Sequence, residues 1–267
     1  MDPVRQRAII IGGVNYSDTS RVIWAITPDF GRQSFLVKGA RRAKSKYLGS
    51  LETFNHVELI YGKRPGGSLF TLREVDVVEL FSGIRRNLDS FWAASEAVEL
   101  VKSTVREEQE SGQTFELLLA FLHQVNALGE PATLTAKTLL ASLRWRLASV
   151  TGHEPQLVEC VRCGRRLTRQ QKYRFLPAQG GIACNACAQV PTEAAAQEPP
   201  ALLVSYPGLR FIYHACRKFP PAEDSLELGQ PVLDEVETIA LRFLSYHFGE
   251  LITQKAKPPA TRWQIEQ

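Results

Sequence analysis

Nowhere in this 267-residue chain does an apolar run approach the eighteen or so residues that a membrane-spanning helix needs. The opening MDPVRQR is not followed by the apolar core and small-residue cleavage site of a secretory signal, so the expectation is a cytoplasmic protein. No phosphate-cradling P-loop, no HExxH and no GxSxG occurs, which excludes the nucleotide hydrolases, zinc peptidases and serine hydrolases built on those patterns. Histidine is scarce, with five scattered copies, and cysteine is equally scarce, with five. Acid is missing from one stretch altogether. KGARRAKSK, from Lys38 to Lys46, holds five cations in nine residues and no Asp or Glu.

That local absence sets the charge distribution of the whole chain. The formal net charge is +4, and residues 1–82 carry twelve Lys and Arg against eight Asp and Glu, 12 − 8 = +4. The other 185 residues hold twenty of each, so the entire excess lies in the first third. Within that third, acids slightly outnumber bases once KGARRAKSK is set aside.

What is present divides by periodicity. Up to about residue 80, short apolar runs (RAIIIGGV, SRVIWAIT, QSFLVKG, FNHVELIY, SLFTLREVDVV) alternate with turn-rich separators, which predicts five strands. Five short strands in so few residues suggest a small closed or nearly closed barrel; an SH3-like barrel or a small sandwich fits the same count. Gly12 within GGV reads as a loop or bulge signal. From Phe81 onward, apolar residues three and four apart predict helices in LDSFWAASEAVELVKSTV, FELLLAFLHQVNAL and LTAKTLLASLRWRLASV, with Asp89 as a candidate N-cap. QVPTEAAAQEPPA reads as a flexible connector, and GLRFIYHACRKF and LDEVETIALRFLSYHFGEL as two later helices. The expected organisation is a barrel over 1–81, a first helical part over 82–156, a cysteine insert over 157–190, connector and helices over 191–250, and a tail over 251–267.

Four of the cysteines form one pattern. Cys160 and Cys163 in CVRC, then Cys184 and Cys187 in CNAC, are separated by twenty residues, the spacing of a zinc-binding ribbon in which two short pairs close a tetrahedron around one ion. Two disulfides or a redox-active CxxC are the competing readings. With four thiolates the shell would be closed, so such an ion would hold the fold and not do chemistry. His153 lies near the motif but is not needed as a ligand, and Cys216 reads as a buried apolar residue. Arg162, Arg165, Arg166, Arg169, Lys172 and Arg174 give the ribbon its own basic cluster, readable as compensation of the thiolate charge or as a phosphate contact.

The basic segment also has two readings: a solvated mobile loop, or a row of phosphate contacts in which Lys38, Arg41, Arg42, Lys44 and Lys46 are the principal groups and Arg21 and Arg32 assist. Barrels of the OB type pair such a groove with aromatic platforms. Trp24, Phe30, Phe35, Tyr47 and Phe54 are the aromatics nearby, and a barrel this small needs most of them inside.

The stretch DTSRVIWAITPDFGRQSFLVKGARRAKSKYLGSLETF resembles the N-terminal barrel of the RecO family of bacterial recombination mediators, and TGHEPQLVECVRCG resembles the lead-in to that family's four-cysteine element. The resemblance covers about residues 5 to 250. It implies an α+β multidomain protein, an OB-fold barrel followed by an α-helical domain with an inserted zinc ribbon. It also implies binding of single- and double-stranded DNA, annealing of complementary strands, and cooperation with RecR and single-strand-binding protein in loading recombinase, with one structural Zn2+, no membrane and no enzyme activity. The expected setting is the bacterial cytoplasm, at the nucleoid. QKAKPPATRW departs from the family's closing Lys-Ser element, since it has Lys255 and Lys257 but no matching serine. The alternative from another class is a zinc-ribbon protein-interaction or transcription-associated adaptor.

Overall fold

The structure is a computed structural model, and it describes residues 3–62, 69–107, 109–129, 132–167, 172–189, 198–220 and 228–249. Most of the proline-rich connector, Arg169 and the tail with Lys255 and Lys257 lie outside those residues.

The five apolar runs form β1 (Pro3–Asn15), β2 (Arg21–Thr27), β3 (Gly31–Val37), β4 (His56–Gly62) and β5 (Leu69–Glu79). They close into a barrel of order β1-β2-β3-β5-β4. Its one parallel seam joins β3 to β5 (Ser34↔Leu69, Phe35↔Phe70, Leu36↔Thr71), the other pairs being antiparallel. That crossover gives the barrel its OB-like topology and sets aside the SH3-like barrel and the sandwich. Gly12 sits at a bulge in β1 with φ +145°, as its place in GGV predicts.

Side-chain alternation along β1 separates two cores. Ala8 and Ile10 point into the barrel with Ile23, Ala25, Phe35, Val57, Leu59 and Tyr61. Ile9 and Ile11, with Ile26 and Phe54, face the other way into a core shared with the helices. Each fully buried Ile contributes about 1.5–3 kcal/mol, so this shared face is a substantial attachment.

The helices are α1 (Leu88–Thr104), α2 (Gly112–Asn126), α3 (Thr133–Val150), the short α4 (Asn185–Ala188), α5 (Tyr206–Ala215) and α6 (Gln230–Phe248). The N-cap of α1 is Asn87, not Asp89: its side chain accepts a hydrogen bond from the Ser90 backbone N–H. Asp89 sits inside the first turn, where its charge suits the helix N-terminus, and accepts a hydrogen bond from the Thr133 hydroxyl at 2.8 Å. Buried Arg144 of α3 pairs with Glu96 of α1 at 3.8 Å and Glu237 of α6 at 3.0 Å.

The cysteine segment contributes a small sheet, β6 (Lys172–Leu176), β7 (Gly181–Ala183) and β8 (Leu202–Ser205), in the order β7-β6-β8. Phe175 of β6 reaches back into the helical core, edge-on to Trp145 at 5.9 Å and to Phe243 at 5.8 Å. The ribbon is therefore part of the helical packing. No helix among the described residues is long and apolar enough to cross a membrane.

Candidate metal centre and nucleic-acid interface

The first site is built by turns. CVRC occupies the turn before residue 167, and CNAC opens α4 directly after β7, so the β6-β7 hairpin delivers the second pair to the first. Gly164, at φ +69°, and Gly180, at φ +66°, take left-handed conformations beside the two pairs. The four Sγ atoms lie within 4.8 Å of one another, and Cys163 Sγ stands 3.9 Å from Cys184 Sγ. Sulfurs at the vertices of a tetrahedron with ~2.3 Å metal–sulfur bonds are about 3.8 Å apart. A disulfide needs about 2.05 Å, so the separation matches a metal cage and not a bond.

The donors fit a cation. Burial works against ionising Cys160, yet backbone N–H groups of Cys184, Arg162 and Cys163 together with the Cys163 side chain hold its thiol at about 6. The Cys184 N–H lies 3.3 Å from that sulfur. Cys187 is pushed up to about 12 by hydrogen bonds with the Cys184 and Cys163 side chains. Four thiols in contact cannot all ionise without a positive charge among them, and a metal ion is the charge this donor set suits. His153 contributes nothing to the cluster; its Nδ1 faces the Thr151 carbonyl at 3.0 Å and its ring stands against Phe248. Cys216 is fully buried, with its thiol pushed up to about 12 by that burial, as an apolar role requires.

Arg162 is committed to the ribbon, donating to Gln179 Oε1 at 3.0 Å and to the Cys187 carbonyl at 2.6 Å. Arg165, Arg166 and Lys172 are exposed and Arg174 is half-buried.

The second site is the loop after β3. Lys38, Arg41, Arg42, Lys44 and Lys46 are all exposed, and among the described residues none of them pairs with an acid. The loop is nevertheless fixed in place. The Arg41 backbone N–H donates to the Thr19 carbonyl at 3.0 Å, and its guanidinium to the Ser17 carbonyl at 2.7 Å, which ties it to the β1-β2 turn. Lys46 Nζ and the Tyr47 hydroxyl both donate to the Arg73 carbonyl, at 2.8 and 2.9 Å, which ties it to β5. Those bonds bring up Arg73, an exposed cation 27 residues beyond Lys46. Arg73 sits at a register shift in β5, and the bonds from Lys46 and Tyr47 bring it to the loop.

The two assisting arginines are placed differently. Arg21 pairs with Val37 across the β2-β3 ladder, at the root of the loop, and is held by Glu52 at 3.3 Å. Arg32 lies at the opposite end of β3, about 17 Å along a strand of ~3.3 Å rise, where Glu107 holds it at 3.7 Å and it donates to the Lys102 carbonyl. Of the aromatics, Phe35, Tyr47 and Phe54 are buried and Trp24 packs half-buried against the helical core. Among the described barrel residues the mostly exposed ring is Tyr16, 65% accessible, which its position in a turn between strands did not single out.

Residues 1–81 match the family described as "Recombination protein O N terminal" and residues 85–255 the one described as "Recombination protein O C terminal". Among relatives, "DNA repair protein RecO" of Roseiflexus sp. (strain RS-1) is 33% identical over 237 residues, 89% of this chain and 77% of its own length. Those of Anaeromyxobacter sp. (strain K) and Syntrophus aciditrophicus (strain SB) are 32% and 30% identical, each over 70% of this chain and 72% and 70% of their own lengths. Barrel order, cysteine cage and these matches agree, and the chain belongs to the RecO family.

Proposed function

We propose that this chain is a DNA-repair and recombination mediator of the bacterial nucleoid. It binds single- and double-stranded DNA without sequence preference and anneals complementary strands. With RecR, it helps load recombinase onto strands coated by single-strand-binding protein, itself catalysing no covalent reaction. The observation that carries this reading is the loop of five exposed cations without acid partners, anchored on an OB-like barrel in a member of the RecO family. Cations so arranged contact phosphate oxygens, which fix a strand in place but carry no base information, as annealing of arbitrary complements requires. Arg21 and Arg32 are lesser contributors, because each must first be released from an acid. Cys160, Cys163, Cys184 and Cys187 hold one Zn2+, whose part is to close the ribbon.

The test is binding to single strands across a salt series. Affinity should fall with a log–log slope of roughly −0.7 for each phosphate neutralised. Replacing Arg41, Arg42 and Lys44 together by Ala should weaken binding and make that slope shallower by about 2. Unchanged affinity and slope in a folded triple variant would overturn the assignment and favour the protein-binding adaptor. Elemental analysis should give one zinc per chain, and Cys163→Ser should lose it; a purified wild-type protein without zinc would overturn the metal assignment.

A further inference from the structure

We infer that Tyr16 is a base-stacking platform that gives the cationic loop a preference for single strands over duplex. This rests on the DNA-binding reading above and adds to it a contact that charge cannot supply. Every other aromatic of the described barrel is occupied in packing or at least partly covered: Phe35 is fully buried, and Phe54, Tyr61, Phe70 and Tyr47 are 8% accessible or less. Tyr16 is 65% accessible, at the point where β1 turns into β2.

That turn is rigid. The Tyr16 and Ser17 backbone N–H groups both donate to the Ser20 carbonyl, at 3.0 and 3.3 Å, and the Ser20 N–H donates to the Ser17 hydroxyl at 3.2 Å. It is also bonded to the phosphate-binding candidates, because Arg41 donates to two of its carbonyls, Thr19 and Ser17. The ring and the cations therefore form one surface: Tyr16 is held one residue from the carbonyl that anchors Arg41. A strand whose phosphates lie on the loop has its bases within reach of the adjoining turn. An unpaired base has a free face to lay on a tyrosine ring, whereas a base in duplex is already stacked on both faces. Its chain neighbours, Asn15 and Ser17, are exposed like the ring itself.

The experiment measures affinity for a single-stranded oligonucleotide, for its duplex and for an abasic strand of the same length, with wild-type protein and with Tyr16→Ala, Tyr16→Phe and Tyr16→Trp. Tyr16→Ala should weaken single-strand binding roughly five- to a hundred-fold per stacked base, with the salt slope intact and duplex and abasic affinities unchanged. Tyr16→Phe should retain wild-type affinity, and Tyr16→Trp should retain it and show fluorescence quenching on single strands. Equal losses on single strand, duplex and abasic strand, or no loss at all, would overturn the stacking role. Failure of the wild-type protein to bind any of the three would instead overturn the DNA-binding reading itself.

Discussion

At the scale of single residues, His56 carries a measurable liability. It opens β4 at 6% accessibility, its Nε2 has no hydrogen-bond partner among the described residues, and its ring stands edge-on to Phe115 at 5.9 Å. Burial first, then the charges of Arg7 and His123, push its pKa below the ordinary 6.5, against a smaller opposing effect of Glu116. The unfolded chain therefore takes up this proton more readily than the folded one, and stability falls as pH drops through and below about 6.5. His56→Phe, which keeps the ring and removes the proton site, should lose less melting temperature than wild type between pH 7.5 and 5.5. Parallel thermal melts at the two pH values check this, and equal losses would exclude His56 as the cause. His247, lowered chiefly by burial, adds a loss of the same sign that both proteins share.

At the scale of elements, the three-way pairing of Arg144 with Glu96 and Glu237 joins α3 to α1 and α6. Burial raises the pKa of both carboxyls even though Arg144 opposes it. Arg144→Met should destabilise the fold by about 3–5 kcal/mol, because it strands two half-buried acids, and chemical denaturation reads the loss directly. Replacing all three residues by apolar ones should recover much of it. These partners lie far apart in the chain, which is why no periodicity exposed them. The strands and long helices were legible because alternation and 3.6-residue spacing are local, and the cysteine cage because its two halves are each local. The parallel β3-β5 seam, the Arg21–Glu52 pair and the approach of Arg73 depend on pairings made across the barrel, and adjacent residues leave no mark of them. The choice of Asn87 over Asp89 as a cap turned on two positions within one turn, finer than periodicity resolves.

At the scale of the whole molecule, the outward flank of the barrel and the helices share a core. Gly31 seals the junction: its φ is +63°, and a Cβ there would stand 2.4 Å from the Arg106 carbonyl oxygen, so only glycine lets the two backbones meet. Thermal unfolding should accordingly be one transition, with far-ultraviolet and aromatic circular dichroism melting together; two separated transitions would show that the halves unfold independently. Gly31→Val should lower that single transition without splitting it.

The outward faces of β1 and β2 also have a history during synthesis. Ile9, Ile11 and Ile26 leave the ribosome well before α1 and α2, the helices that cover them. At roughly 5–20 residues per second, translation leaves a finished barrel with a bare apolar flank for several seconds. The nascent chain is most exposed to aggregation in that interval, and a chaperone at the tunnel exit would have its natural target there.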